Sequence, residues 1–203
     1  MKIVIVSSSH RKNSNSMRVS RYLENRLIEK NYAEETLTLD LAQIKLPLWD
    51  DCMWANESNP LKEKWAPLAK ELKEASGFVF VTPEWNGMAA PALQNFLLFC
   101  SQRELGHKPA LITTVSTGIG GAYPINEVRS FGYKNTRVCY LPEHLIVRSA
   151  NDFFDEAKQE SEHTVHLKER IDMTLGVLQT YCKSFENLRS SLEFDFKKFP
   201  NGM

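Results

Sequence analysis

Residues 3–6, Ile3-Val4-Ile5-Val6, are an unbroken β-branched run halted by Ser7-Ser8-Ser9. A strand with one wet face alternates apolar and polar residues; a strand with no polar position has both faces covered. Covering both faces of a sheet calls for parallel strands joined by helical crossovers, and the chain supplies them. Residues 77–82 (Gly-Phe-Val-Phe-Val-Thr) and 109–116 (Pro-Ala-Leu-Ile-Thr-Thr-Val-Ser) read as two more core strands, the former ended by Pro83, which cannot donate to a ladder. Residues 35–41 alternate around Leu37, Leu39 and Leu41, the mark of an edge strand. A fifth strand is expected at 137–141, resuming at 145–148. Helical spacing appears over 17–28, 61–75, 91–103, 123–131 and 163–188. The alternation predicts one α/β domain, a parallel sheet with helices on both faces.

With 203 residues, 42% hydrophobic, the chain fits a single domain over 1–203, closed by a helical extension from about 150 to 203. Lys plus Arg and Asp plus Glu balance at 25 each, so no overall charge excess points to nucleic acid or an anionic membrane; neither is expected as a partner. Any affinity for an anion must be local. Cys52, Cys100, Cys139 and Cys182 are far apart, which reads as reduced, buried thiols in a cytoplasmic protein. Four apolar residues after Lys2 are too few for a signal-peptide core or a membrane span.

In such a sheet, ligands sit beyond the carboxyl ends of the strands, where strand order reverses. The loops after strands one, three and four all have unusual compositions. Residues 7–16 set hydroxyls, amides, His10, Arg11 and Lys12 ahead of a helix N-terminus. Two readings fit that segment alone: an anion site built from free N–H groups and the helix dipole, or a hydrophilic helix cap. It has neither the Gly-x-Gly-x-x-Gly of dinucleotide folds nor a P-loop, so a monophosphate is the better anion. The second loop, Thr82-Pro83-Glu84-Trp85-Asn86-Gly87-Met88, offers an aromatic plane and a glycine permitting close approach of a flat ligand.

The stretch from Thr82 to Gly87, followed by Pro91-Ala92-Leu93-Gln94-Asn95, resembles the Thr-Pro-Glu-Tyr-Asn-Gly and Leu-Lys-Asn motif of the NADPH-dependent FMN reductase family, with Trp85 for tyrosine and Gln94 for lysine. Three other segments fall in register with it: residues 9–16 resemble the phosphate loop, Leu46-Pro47-Leu48-Trp49-Asp50-Asp51 the Leu-Pro-Leu-Tyr-Asp-Glu segment, and Ser116-Thr117-Gly118-Ile119-Gly120-Gly121 the Ser-x-Gly-x-x-Gly-Gly turn. The resemblance covers roughly residues 1–148. It implies a flavodoxin-like three-layer fold with sheet order 2-1-3-4-5. It further implies that Ser9, Arg11, Asn15, Ser16 and Met17 hold the phosphate of FMN. Pro83, Glu84, Trp85, Asn86 and Gly87 would line the isoalloxazine ring, and Ser116, Gly118, Gly120 and Gly121 its other edge.

The activity implied is hydride transfer from NADPH or NADH to bound FMN, and onward to free flavin, a quinone or an azo compound. No indispensable acid or base side chain is expected, since the cofactor carries the chemistry. Family members pair through helices flanking the second and third loops, so a homodimer or homotetramer is implied, through 61–75 and 91–103 here. Two rival readings are an FMN-binding electron carrier or redox-sensing module, and an interaction scaffold that has lost its cofactor. His163 and His166, one turn apart, read as a solvated helix face rather than a metal site, and Cys100 as a core thiol without an activating base. His144 is expected in an exposed loop after the fifth strand.

Overall fold

The computed structural model describes all residues except Glu156, Lys158, Gln159, Glu160, Phe196, Pro200 and Met203. Five parallel strands lie in the order β2-β1-β3-β4-β5: β1 (Lys2–Ser7), β2 (Glu35–Asp40), β3 (Gly77–Pro83), β4 (Pro109–Val115) and β5 (Cys139–Val147). Strand order reverses between β1 and β3, where the chain crosses from one half of the sheet to the other.

The β-branched run at the N-terminus divides its side chains between two cores. Ile3 and Ile5 join Val79, Val81 and Leu111 beneath helices α1 (Asn15–Glu29) and α9 (Glu162–Ser191), which contribute Val19, Leu23 and Leu27, and Leu167, Ile171, Leu175 and Leu178. Val4 and Val6 join Phe78, Phe80 and Ile112 on the opposite face. That face is covered by α3 (Pro60–Glu74), α4 (Pro91–Phe99) and α6 (Tyr123–Ser130), through Trp65, Leu72, Leu93, Phe96, Ile125 and Val128. Every residue of β1, β3 and β4 is buried. Edge strand β2 is only partly so.

Short helices fill the connections: α2 (Leu41–Ile44), α5 (Gln102–Leu105), α7 (Tyr133–Thr136), α8 (Ala150–Phe153) and one 3₁₀ turn, Asp51–Trp54. Two expectations are corrected. The helix read over 91–103 stops at Phe99, and α5 starts afresh behind Ser101, whose hydroxyl accepts from Arg103 N–H while the Glu104 carboxylate accepts from Ser101 N–H. That reciprocal cap competes with continuation of the helix. The fifth strand does not break at Pro142. It runs from Cys139 to Val147, with Ala110 opposite Tyr140 and Ile112 opposite His144, so two extra β5 residues are absorbed in a bulge. Pro142 is tolerated there because β5 is an edge. His144 therefore lies within the strand, half-buried, and burial lowers its pKa.

The cysteines are free thiols, but only Cys100 and Cys182 are buried; Cys52 and Cys139 are half-buried. Burial pushes the Cys182 thiol up to about 12 and that of Cys100 well above its ordinary value, which suits packing rather than nucleophilic roles. His163 and His166 lie exposed on α9. No helix among the described residues is long and apolar enough to cross a membrane.

Candidate active site

Three loops leave the carboxyl ends of β1, β3 and β4. The first is anchored where Ser8 N–H and Ser8 Oγ both donate to Val81 O, each at 2.9 Å, tying the end of β1 to β3. Ser9 is buried, and its hydroxyl accepts from Arg11 N–H at 3.2 Å. Asn13 adopts a left-handed conformation (φ 53°), which asparagine tolerates better than most residues, and turns the chain into Ser14. Ser14 is the N-cap of α1, its Oγ accepting from Met17 N–H at 3.1 Å.

Capping satisfies one of the helix's first donors and leaves the N–H groups of Asn15 and Ser16 in the first turn without a partner among the described residues. Ser16 is 1% exposed and its Oγ has no hydrogen-bond partner. An unpaired buried hydroxyl costs about 1–3 kcal/mol; Ser7 Oγ and Thr113 Oγ1 share that condition, and of these three only Ser16 stands in the first turn of a helix. The guanidinium of Arg11 is exposed and has no partner among the described residues. Asn15 is placed differently: its amide donates to Asn151 Oδ1 at 2.7 Å and accepts from Arg18, so it ties α1 to α8.

The second loop is a tight reversal. Trp85 N–H donates to Met88 O (3.0 Å) and Met88 N–H to Trp85 O (2.9 Å), with Asn86 and Gly87 both at positive φ (51° and 75°). This is the geometry of a two-residue type I′ turn, which the Asn-Gly pair favours. The turn presents the Trp85 indole toward the first loop, where the His10 ring meets it edge-on, ring centroids 4.6 Å apart. Pro83 is buried at the end of β3.

Glu84 joins the second loop to the third. Its carboxylate accepts from Gly121 N–H and lies so near Gly120 that a β-carbon there would come within 2.7 Å of it. Gly121 (φ 109°) packs against Ile146 and Thr114, and a β-carbon there would overlap Ile146 Cγ2. Gly118 has open space around it. Ser116 Oγ accepts from Gly118 N–H at 3.2 Å, and Gly118 O and Ser116 O accept from Ser149 and Ala150 N–H. The circuit closes through α8, because Asn151 holds Asn15.

The sequence-derived residues thus gather at one end of the sheet, though not all face open space. Ser16 and Arg11 have unused polar groups, Gly118 is open, and Glu84, Gly120 and Gly121 brace one another. Sequence reasoning passes over Tyr123 and Asn151, and treats His10 only as one polar residue of the first loop. Tyr123 packs beside Gly87, where a β-carbon would stand 3.8 Å from the tyrosine Cγ; its place directly after the glycine turn is a signal that could have flagged it. Asn151 stands 136 residues from the side chain it binds, and no local pattern signals that.

The model of the NADPH-dependent FMN reductase family matches residues 1–152. An NADPH azoreductase from Bacillus sp. (strain OY1-2) is 30% identical over 131 residues, covering 64% of this chain and 67% of that protein. A quinone reductase from Pseudomonas putida is 27% identical over 177 residues, 84% of this chain and 90% of the relative. Among solved structures, an oxidoreductase from Corynebacterium diphtheriae superposes with a TM-score of 0.70 at 12% identity, covering 90% of this chain and 97% of the other. The flavoenzyme NAD(P)H:(acceptor) oxidoreductase FerB from Paracoccus denitrificans does so with a TM-score of 0.67 at 16% identity, covering 91% and 98%. At such identities these superpositions establish the flavodoxin-like fold. The family match, extending over three quarters of the chain, establishes more: this protein is an oxidoreductase of the NADPH-dependent FMN reductase family, with FMN as cofactor and NAD(P)H as reductant.

Proposed function

We propose that the protein oxidises NADPH or NADH and delivers the electrons to a small acceptor, a quinone, an azo compound or free flavin, using FMN held across the three loops. When bound, FMN supplies the hydride-accepting chemistry. The protein's side chains bind, orient and shield.

The observation that carries this reading is the buried, partnerless Ser16 hydroxyl in the first turn of α1, beside unused backbone N–H groups and the free Arg11 guanidinium. A phosphate satisfies all of these at once. Ser9 and Met17 would complete the cradle through the backbone, with Asn15 bracing it from α8. Trp85 offers a plane, and Pro83, Asn86 and Gly87 a thin wall, against which a ring can lie. Ser116 and Gly118 border open space, and Glu84 with Gly120 and Gly121 keeps the two walls in register. Trp85 lacks the hydroxyl that tyrosine offers and carries an indole N–H in its place, so that side chain can donate a hydrogen bond but not accept one.

We also propose a cytoplasmic protein that pairs as a homodimer or homotetramer. Leu48, Trp54, Leu98 and Tyr123 are large apolar side chains left exposed around the loops and on α4. Exposed apolar area of that kind commonly marks an interface.

A visible spectrum of the purified protein, followed by steady-state NAD(P)H oxidation with a quinone or free FMN, tests the activity. Flavin absorption and turnover are expected. Bound flavin without turnover above background would make the protein a carrier, and a colourless protein unable to take up FMN would overturn the cofactor site.

A further inference from the structure

Two carboxylates tie the second and third loops together, and they cross in opposite directions. Glu84, in the second loop, accepts from Gly121 N–H in the third. Glu127, on the helix that follows the third loop, reaches back. Its carboxylate accepts from Ala89 N–H at the exit of the second loop and from Gln94 Nε2 on α4 at 2.9 Å. Tyr123 and Glu127 stand four residues apart on α6, a spacing that puts them on one face of the helix. The first packs beside Gly87 and the second holds Ala89, so this face follows the second loop through its turn.

Ala89 is 1% exposed, and Glu127 is the partner of its N–H. The next residue, Ala90, donates to Thr82 Oγ1 at 2.9 Å, while Met88 exchanges hydrogen bonds with Trp85. The turn that presents Trp85 is therefore fastened at its exit by one buried threonine and one half-buried glutamate. Thr82 belongs to β3 itself, whereas Glu127 comes from a separate helix and ties the turn to the far wall of the site. Its charge is left whole. Gln94, standing where the family motif has lysine, is neutral, and among the described residues Glu127 has no ion pair.

From this arrangement we infer that Glu127 is a positioning residue for the ring-binding turn, acting through Ala89 and Gln94, and that its uncompensated charge holds down the reduction potential of bound FMN. The inference rests on the placement of the ring between the second and third loops. A carboxylate behind one wall opposes the arrival of electrons at the ring; a neutral amide or a neutralising cation there removes that opposition.

Three variants of the whole chain separate position from charge: Glu127→Ala, Glu127→Gln and Gln94→Lys. Glu127→Gln can keep both hydrogen bonds, because the new amide oxygen accepts from Ala89 N–H and the Gln94 amide can turn to accept from the new amide nitrogen; only the charge is lost. Gln94→Lys keeps the carboxylate and neutralises it. Fluorescence titration gives the FMN affinity, and equilibration with a reference dye gives the midpoint potential of the bound flavin, both without turnover. Glu127→Ala should weaken FMN on the order of tenfold, through a buried N–H left without its partner, and Glu127→Gln should bring the affinity back to within about threefold of the original. Glu127→Gln and Gln94→Lys should both move the midpoint to a more positive potential, which a glutamate serving only the fold would not do. Unchanged FMN affinity in Glu127→Ala, or midpoints that stay put in both charge variants, overturns the inference. Should Glu127→Ala fold poorly, the midpoints of the other two variants decide it. A wild-type protein that takes up no FMN would overturn the flavin site and this inference with it, whereas bound FMN with insensitive midpoints overturns the inference alone.

Discussion

At the scale of single residues, Ser16 and Arg11 make opposite demands on the ligand-free protein. The Ser16 hydroxyl is buried and unpaired, which in the proposed cradle is a cost that the FMN phosphate would relieve; the Arg11 side chain is solvated and costs nothing. Ser16→Ala should therefore leave the thermal midpoint of the FMN-free protein unchanged or slightly raised while weakening FMN by about 1 kcal/mol. Arg11→Ala should leave stability alone and weaken FMN by about 1.5–3 kcal/mol, through the loss of a charged partner. Fluorescence titration with FMN and a melting curve without it separate the two. A marked loss of stability in ligand-free Ser16→Ala would mean that the hydroxyl serves the fold, and the phosphate assignment would lose its main support. Neither property is visible in the sequence, where Ser16 is one hydroxyl in a polar loop.

At the scale of elements, legibility in the sequence depends on how far apart the cooperating residues lie. The Ile3–Val6 run and the core of strand three announce themselves because burial on both faces leaves no polar position. The Asn86-Gly87 turn stands out in the sequence as a surface for a ligand; its positive φ angles show that the glycine is needed first for the reversal itself. The break at Ser101 and the bulge at Pro142 escape the sequence pattern because each is decided by a local competitor, a reciprocal cap and a free edge, that hydrophobic periodicity does not register. The third loop shows the same division. Its glycines look alike in the sequence, yet Gly118 is open while Gly121 is pinned by backbone conformation and by Ile146. Gly121→Ala should thus cost about 1–3 kcal/mol of stability and disturb the Glu84 contact, whereas Gly118→Ala should cost far less; chemical denaturation of both variants checks this.

Helix-to-helix contacts add a dependence on pH. Arg26 of α1 grips Asp172 of α9, with Nε donating to Oδ1 at 2.8 Å, and Lys30 stands 3.4 Å from Oδ2. The hydrogen bonds from Arg26 hold the Asp172 carboxyl below the usual aspartate range. A carboxyl whose pKa is lower in the folded than in the unfolded chain stabilises the fold above the unfolded value, about 4, and ceases to do so as the pH falls through the folded one. Asp172→Asn should consequently lower the midpoint at neutral pH by about 2–4 °C, for roughly 1 kcal/mol in a chain of this size. It should also remove part of the acid-induced destabilisation below about pH 4. Melting curves from about pH 7 to about pH 3 for both proteins give the comparison; parallel curves would show that the pair contributes nothing through its charge.

For the molecule as a whole, the site end carries apolar surface that the fold itself does not use. Leu48 is 83% exposed, Trp54 78% and Ile119 88%, while the segment bearing Leu48 and Trp54 is held firmly: Asn95 on α4 donates to Pro47 O and accepts from Trp49 N–H, both at 2.8 Å, and Trp49 meets Trp54 edge-on. Fixing apolar side chains in place while leaving them in water costs free energy unless another surface covers them. A second copy is the simplest cover consistent with the proposed assembly, and it would close over the loops on the side where Tyr123 stands beside Gly87. Light scattering at micromolar concentration should then give twice or four times the 23.3 kDa of one chain. Trp54→Glu with Leu48→Glu should dissociate the assembly without unfolding it, because neither side chain contributes to the buried cores. If the site is shared between copies, the dissociated protein should also release FMN more readily; flavin retained at full affinity by a monomer would place the whole cofactor site within one chain. A wild-type protein that stays monomeric at every concentration would leave the apolar rim to the acceptor alone, and pairing would be ruled out.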